Sequence, residues 1–370
     1  MQFALTQDQI DLQDVVRSFA AERASEQETR RLMATDTGWD QKTWRQLAEM
    51  DLLGLALGTQ YGGAGCGPVE LGVFMEAAGA SLLCSPYLST VVLSASALQL
   101  AGDEGSASEY LPRIAAGELV ATLAVLERIS GWNADDIQTS ATRSEGGWEL
   151  HGRKLYVLDG AAAQLILVAA RTRSGLSLFA VDGDEPGIRI RPTETLDMTR
   201  KQATVEFEGV SARLVGVEGQ SEAVLVNTFD LAAACLAAEQ VGGAQHAFDM
   251  AVDYAKIRHQ FGRPIGSFQA IKHQLADVLL DVESARSTAA SALMAADEGS
   301  PEFSSLASMA KAYCSDVFKH VAETNIQIHG GIGFTWEHPA HLYYRRACTD
   351  LHLLGDPVTH REFLATKLLA

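Results

Sequence analysis

The spacing of apolar residues changes twice along this chain, and that alternation limits what it can fold into. Over roughly residues 1–120 apolar side chains recur at helical spacing. Thr6 followed by Gln9 is a capping-box pattern, and Ile10, Val15, Val16 and Phe19 supply the stripe behind it. WDQKTWRQLAEMDLLGLAL reads as a second amphipathic helix, with further helices over roughly 69–102 and 104–116. Residues 59–68, TQYGGAGCGP, are a glycine-rich break. They lack G-x-x-x-x-G-K-[ST] and a preceding strand, so they read as a turn and not as a phosphate cradle. Between about 120 and 215 the period shortens to two. SEGGWELHGRKLYVLDG is a hairpin turning at Gly146-Gly147, and QLILVAAR, LSLFAVD, GIRIRP and ATVEFEGV follow at regular spacing. Helical spacing then returns over 222–257, 267–297, 303–329 and, more briefly, near 337–347. The pattern predicts an α+β multidomain chain: an α-helical domain over 1–119, a small, mostly antiparallel β domain over 120–217, and an α-helical domain over 218–370.

Charge narrows the partners. A net charge of −18 repels phosphate backbones and anionic lipid, so nucleic acid and membrane are poor partners. Any anionic ligand must find a local basic site against that field. The five cysteines (Cys66, Cys84, Cys235, Cys314, Cys348) are scattered and form no C-x-x-C pair, which points to reduced thiols in the cytoplasm and to no metal site. The N-terminus carries Asp8 and Asp11 and no apolar h-region, so no signal peptide is expected. No apolar run approaches the ~18–20 residues of a membrane span.

One basic site is evident. Ala247, Phe248, Ala251, Val252 and Ala255 give one helix an apolar face, and Gly262 and Pro264 end it. Ser267 is placed to cap the next helix, where Phe268, Ile271, Leu275, Val278 and Val282 form a heptad stripe. Between the helices RHQFGRPIGSFQ packs Arg258, His259 and Arg263 into six residues. Such a loop is either a seat for an anion such as a diphosphate or a solvated helix corner.

R-x-x-F-G-x-x-I-x-x-F-Q, as it stands from Arg258 to Gln269, resembles the FAD signature of the acyl-CoA dehydrogenase family, and QIHGGIGFTWEHPAHLYYRRA from Gln327 resembles its second signature. The resemblance runs over nearly the whole chain from LTQDQIDLQDVVRSFA at Leu5. It implies a helical N-terminal domain, a β-barrel-like middle domain and a C-terminal four-helix bundle. It also implies FAD as cofactor, an acyl-CoA substrate and electron-transfer flavoprotein as acceptor. In register with the family, Arg258, Phe261, Gln269, Gln327, Gly330, Gly331 and Gly333 hold the adenosine diphosphate, the two signatures meeting across a subunit boundary, one from each protomer. The acidic and aromatic run after them (Trp336, Glu337, His341, Tyr343, Tyr344) reads as helix packing.

The reaction removes an α proton and a β hydride, so it needs a desolvated carboxylate. The family's usual base is the Glu of Y-E-G-T, about nine residues after the start of R-D-A. Here R-R-A begins at Arg345, and the register places Leu354 there, with Gly355 at the family glycine and Asp356 for the Thr. Some relatives carry the base twenty-six residues before the R-x-x-F-G arginine, which is Ala232 here. Glu239, two helical turns beyond and set among Ala237, Ala238 and Val241, is the candidate relocated base; its alternative is a buried carboxylate bonded across the bundle. Asp230 is a weaker candidate. The flavin-ring stretches are altered too: LERISGW has Leu126 for a Thr, retains Glu127 and has Arg128 for Pro, and YVLDG has Tyr156 for Trp, Leu158 for Thr and Asp159 for Asn. These shared losses resemble the bacterial α2β2 subclass, in which a second family member supplies the base. A self-sufficient homotetramer and a non-catalytic subunit are the alternatives.

Overall fold

The computed structural model describes residues 5–128 and 134–369. Along the chain the order is α1 (Gln7–Arg23), α2 (Glu26–Met33), α3 (Gln41–Glu49), α4 (Pro68–Ala80), a π-helix (Leu88–Ala95), α5 (Ser96–Leu100), α6 (Glu104–Ala115), strands β1 (Ala121–Ala124), β2 (Ser140–Ser144), β3 (Gly147–Leu158), β4 (Leu165–Thr172), β5 (Gly175–Asp182), β6 (Ile188–Thr193) and β7 (Gln202–Val215), then α7 (Glu222–Ile257), α8 (Gln269–Asp297), α9 (Phe303–His329), α10 (Ala340–His352) and α11 (Pro357–Leu369). Helices flank a central β region, as the apolar spacing requires. Tertiary contacts gather the chain into two compact units: residues 1–29, 68–83 and 233–370, and residues 30–67 and 84–232.

The second unit contains the sheet. β4 pairs β2 and β5, β5 also pairs β7, and β3 joins β2 to β7, so the strands close into a ring. All pairings are antiparallel except β1 with β4 and a single β2–β4 pair. Inside lie Trp148, Val168, Phe179, Val205 and Phe207, with the Trp148 and Phe179 rings edge to face at 5.3 Å. The β2–β3 register pairs Ser144 with Gly147, so the hairpin turns at Glu145-Gly146, one residue earlier than the glycine pair led us to expect. The π-helix is buried throughout; it falls within the range expected to be helical, but its wider pitch was not expected. Thr90 ties it to β1, its hydroxyl donating to the Ala121 carbonyl at 2.8 Å and accepting the Ala121 N–H at 3.1 Å.

In the helical unit α1 begins on the expected capping box, Thr6 and Gln9 exchanging side-chain and backbone bonds at 2.9 and 3.3 Å. α4 crosses α7 backbone to backbone. A Cβ on Gly79 would stand 2.0 Å from the Glu239 carbonyl oxygen, and one on Gly242 would stand 1.8 Å from that of Glu76. Only glycine permits that approach. From α8, Arg286 pairs with Glu76 and donates to Gln245 Oε1 at 2.8 Å, joining three helices. α7 and α9 span the predicted ranges. α8 starts at Gln269 because Ser267 does not cap it: the hydroxyl donates to the Pro264 carbonyl at 2.7 Å and closes a short 3-10 turn. α10 starts later than expected, with Pro339 at its N-cap. Among the described residues α7 alone is long and apolar enough to cross a membrane by length and composition, and 67% of its most apolar window is buried inside the protein.

The crossing gives a direct test. Gly242→Ala drives a methyl into a carbonyl, an overpacking cost of about 1–3 kcal/mol or more. The thermal midpoint should fall by several degrees, while Gly146→Ala, with open space around its Cβ, should leave it within about a degree.

Candidate functional site

The basic loop is a tight turn at the end of α7. The Arg258 N–H makes the last helical bond, to the Tyr254 carbonyl at 2.9 Å, and the Ile265 N–H donates to the Arg258 carbonyl at 2.8 Å, closing the loop. His259–Gln260 pairs with Arg263–Pro264, leaving Phe261 and Gly262 at the tip with φ of +53° and +80°. Glycine takes that backbone freely, but phenylalanine is strained in it. Phe261 is nonetheless 92% exposed. Arg263 is already occupied, its guanidinium 4.1 Å from the Phe268 ring. Arg258 and Gln269 lie on the surface.

The second stretch lies beside it. Tyr254 of α7 stacks on His329 of α9 at 4.3 Å, and Ala251, Ala255 and Ile328 share a core with Ile265, Ile271 and Leu275. Past His329 the chain enters the turn Gly330–Phe334, with Gly330 at φ +66°. Gln327, Gly330 and Gly331 are exposed, and a Cβ on either glycine would meet nothing within 4 Å; Gly333 is buried against His329. Both signatures therefore sit at one end of a single protomer. The C-terminal ends of α7 and α9 pack together, so one chain presents both stretches side by side. The run after them only partly packs: His341 and Tyr343 are buried, but Trp336 is 52% exposed, with Arg345 over its ring at 4.9 Å.

The carboxylate positions differ sharply. Glu239 is buried on α7 and accepts from Arg346 Nη1 of α10 at 2.5 Å, the arginine itself 2% exposed. Asp230 is half-buried on the same helix, and Ala232 is fully buried. Leu354 sits in a corner between α10 and α11 at φ +59°, followed by Gly355 at +100°. The corner is fastened through its carbonyls. Lys311 Nζ, fully buried on α9, donates to Gly355 O at 3.0 Å and Leu351 O at 3.3 Å, and His360 Nε2 bonds Leu354 O at 3.0 Å. Burial pushes Lys311 down to about 8 and His360 down to about 4. Sequence reasoning found neither Lys311 nor Arg346.

The flavin-ring stretches lie in the sheet unit. Glu127 accepts from Lys154 Nζ at 2.6 Å and from the Gln138 and Thr139 N–H groups at 2.7 and 3.0 Å. Burial opposes its ionisation, but Lys154 and these bonds win and hold it below the usual range. Burial in turn pushes Lys154 down to about 8 against the pull of Glu127. Leu158 is buried, its carbonyl accepting from the Thr122 hydroxyl at 2.5 Å. Tyr156 and Asp159 both have positive φ, and Asp159 accepts from Ser89 Oγ at 2.6 Å. Leu126 and Leu158 offer no side-chain hydrogen bond. Residues 129–132 of LERISGW lie outside the described residues.

Comparison with known proteins places this geometry. The chain matches the acyl-CoA dehydrogenase N-terminal domain over residues 6–118, the middle domain over 122–210 and the C-terminal domain over 222–369. It is 30% identical to acyl-CoA dehydrogenase IpdE2 of Mycolicibacterium smegmatis over 94% of both chains. Among solved structures it is similar to the Tcur3481-Tcur3483 steroid ACAD, with 31% identity, 98% of both chains covered and a TM-score of 0.89. It is also similar to the ChsE4-ChsE5 complex from Mycobacterium tuberculosis, with 28% identity, 100% and 99% coverage and a TM-score of 0.91. The chain belongs to the acyl-CoA dehydrogenase family of FAD-dependent oxidoreductases. The residues present fit the adenosine diphosphate part of that cofactor: an exposed guanidinium, an exposed aromatic ring, and glycine backbone with nothing above it. Among the described residues, Leu126 and Leu158 bring no hydroxyl to the two flavin-ring stretches.

Breaking the Glu239–Arg346 pair from one side removes a buried charge-assisted hydrogen bond, at a cost of about 1.5–3 kcal/mol. Glu239→Leu and Arg346→Met should each lower the denaturation midpoint strongly, and the double variant should recover most of the loss. A double-mutant cycle checks this, and additive losses would mean the two charges are not coupled.

Proposed function

We propose that the chain is one subunit of a heteromeric acyl-CoA dehydrogenase, completing the cofactor site while a second family member supplies the catalytic base. The observation that carries this reading is the contrast between two sets of positions. The outward corner of Arg258, Phe261, Gln269, Gln327 and Gly330–Gly331 has every feature needed to grip a dinucleotide. Both base positions, Leu354 and Ala232, are inert hydrocarbon, and the nearby carboxylate of Glu239 is already bound to Arg346. Two of the similar solved structures bear paired names, one a steroid ACAD and one a complex, which supports an α2β2 assembly and a fatty-acyl or steroid CoA thioester as substrate.

In that assembly FAD supplies the hydride acceptor. Arg258 would pair with the diphosphate, Gln269 would donate to it, and the open backbone at Gly330 and Gly331 would let the ligand approach. Exposed Phe261 would offer an apolar ring to the cofactor and help exclude water from it. Electron-transfer flavoprotein is the proposed acceptor, and the five free cysteines accord with a cytoplasmic location. The second reading, a self-sufficient homotetramer, needs Glu239 as base. It requires a carboxylate enclosed with Arg346 to leave that partner and take a carbon-bound proton.

Two measurements test the assignment. A charge-assisted contact is worth roughly 1.5–3 kcal/mol, or about ten- to a hundredfold in affinity. Arg258→Ala should therefore lose flavin absorbance, and full occupancy in that variant would refute its role. Dehydrogenation of an acyl-CoA should appear only when a second subunit is mixed in, and Glu239→Gln should change the rate of the folded complex less than about tenfold. Turnover by the chain alone, abolished by Glu239→Gln, would establish the homotetramer instead.

A further inference from the structure

Three rings form a column at the foot of the Gly330–Phe334 turn. Tyr254 stacks on His329 at 4.3 Å with 27° between planes, and His329 meets His338 at 4.3 Å and 48°. Hydrogen bonds fix the two imidazoles in opposite tautomers. His329 Nδ1 lies 2.9 Å from the Asn325 carbonyl, which can only accept, so Nδ1 carries hydrogen and Nε2 is bare. His338 Nδ1 accepts the Ala340 N–H at 3.2 Å, so there Nδ1 is bare and Nε2 carries hydrogen. The neutral pair thus clasps both ends of the 330–338 segment, one ring fixed to α9 and α7, the other to the first turn of α10.

Protonation works against this arrangement in three ways. A proton on His338 Nδ1 removes the acceptor for the Ala340 N–H. It also sets a positive charge at the N-terminus of the 13-residue α10, where the helix dipole is already positive. A proton on His329 Nε2 charges a ring that is 6% exposed and in contact with its neighbour. α7 presents the Tyr254 ring, and α9 presents the Asn325 carbonyl. α10 brings Arg345 and buried His341, whose Nδ1 accepts from Arg345 Nε at 3.3 Å. Glu337, next to His338, is the carboxylate of the segment.

We propose that His329 and His338 form an acid-released latch on the Gly330–Phe334 turn. Neutral, the pair holds the turn against α7; charged, it lets the turn and the start of α10 open. Burial keeps His329 below its ordinary value of 6.5, and the bond to Asn325 only partly counters this. An opened turn then binds the proton more tightly than a closed one, so the closed form keeps its full stability above the ordinary value and loses it as pH falls below. Control of cofactor retention by this latch rests on the reading above that the turn holds FAD; the latch itself does not.

Amide hydrogen exchange on the full chain at pH 7.5 and 5.0, corrected for intrinsic exchange, tests it. Protection over 330–342 should fall at least tenfold at the lower pH, with β3 and β7 unchanged. His338→Gln, which still offers an acceptor to Ala340 but cannot be charged, should remove the pH effect. His329→Phe, which keeps the stack on Tyr254, should do the same if the glutamine variant folds poorly. Protection flat down to pH 5.0 in the parent chain, or an equal acid loss in the folded variants, overturns the latch. Flavin fluorescence is read in parallel: release that tracks the opening supports control of the cofactor, and opening without release overturns that control while leaving the latch in place.

Discussion

The contact between α4 and α7 sets the geometry of the helical unit. Gly79 and Gly242 let two backbones meet where other helix pairs are separated by side chains. That closeness has consequences along both helices. Three residues before Gly242, Glu239 lies with its carbonyl and its Cγ against Gly79 of α4, and its carboxylate reaches Arg346 of α10. On the other helix Glu76 takes the α8 guanidinium of Arg286. Two absent methyl groups thus leave room for the backbones and for the charged side chains beside them.

Much of this was readable in one dimension. The long helices α7 and α9 and the central strands follow from periodicity, because burial on one face leaves a regular mark on the sequence, and the capping box at Thr6 follows from residue type. What escaped has no such mark. Helix was expected over Leu88–Ala95 but not its π pitch, because a segment buried on all sides has apolar content that carries no phase. Ser267 looked like a cap because caps are inferred from residue type, whereas the Pro264 carbonyl was the nearer partner. Glu239 was correctly expected to be buried from its alanine neighbours. Its partner lies 107 positions away, beyond the reach of any local pattern. The cofactor-facing residues were legible as a motif, but the packing of the α7 and α9 ends into one surface needed three dimensions.

Phe261 shows how local strain and exposure fit together. A left-handed phenylalanine at 92% exposure gains nothing from its own chain beyond an edge contact with Phe268 at 6.1 Å. Ile257, Phe334 and Trp336, in the same two segments, are exposed as well. An apolar group of that kind signals a surface built to be covered.

The corner at Leu354 separates two properties that are easily taken as one. Its left-handed bend is imposed from outside, by Lys311 and His360 on the carbonyls of residues 351, 354 and 355, and not by the side chain at its apex. The bend therefore does not depend on which residue it displays. Over evolutionary time such a corner can change what it presents without refolding, and a lineage that loses a reactive group there keeps the scaffold on which one could return.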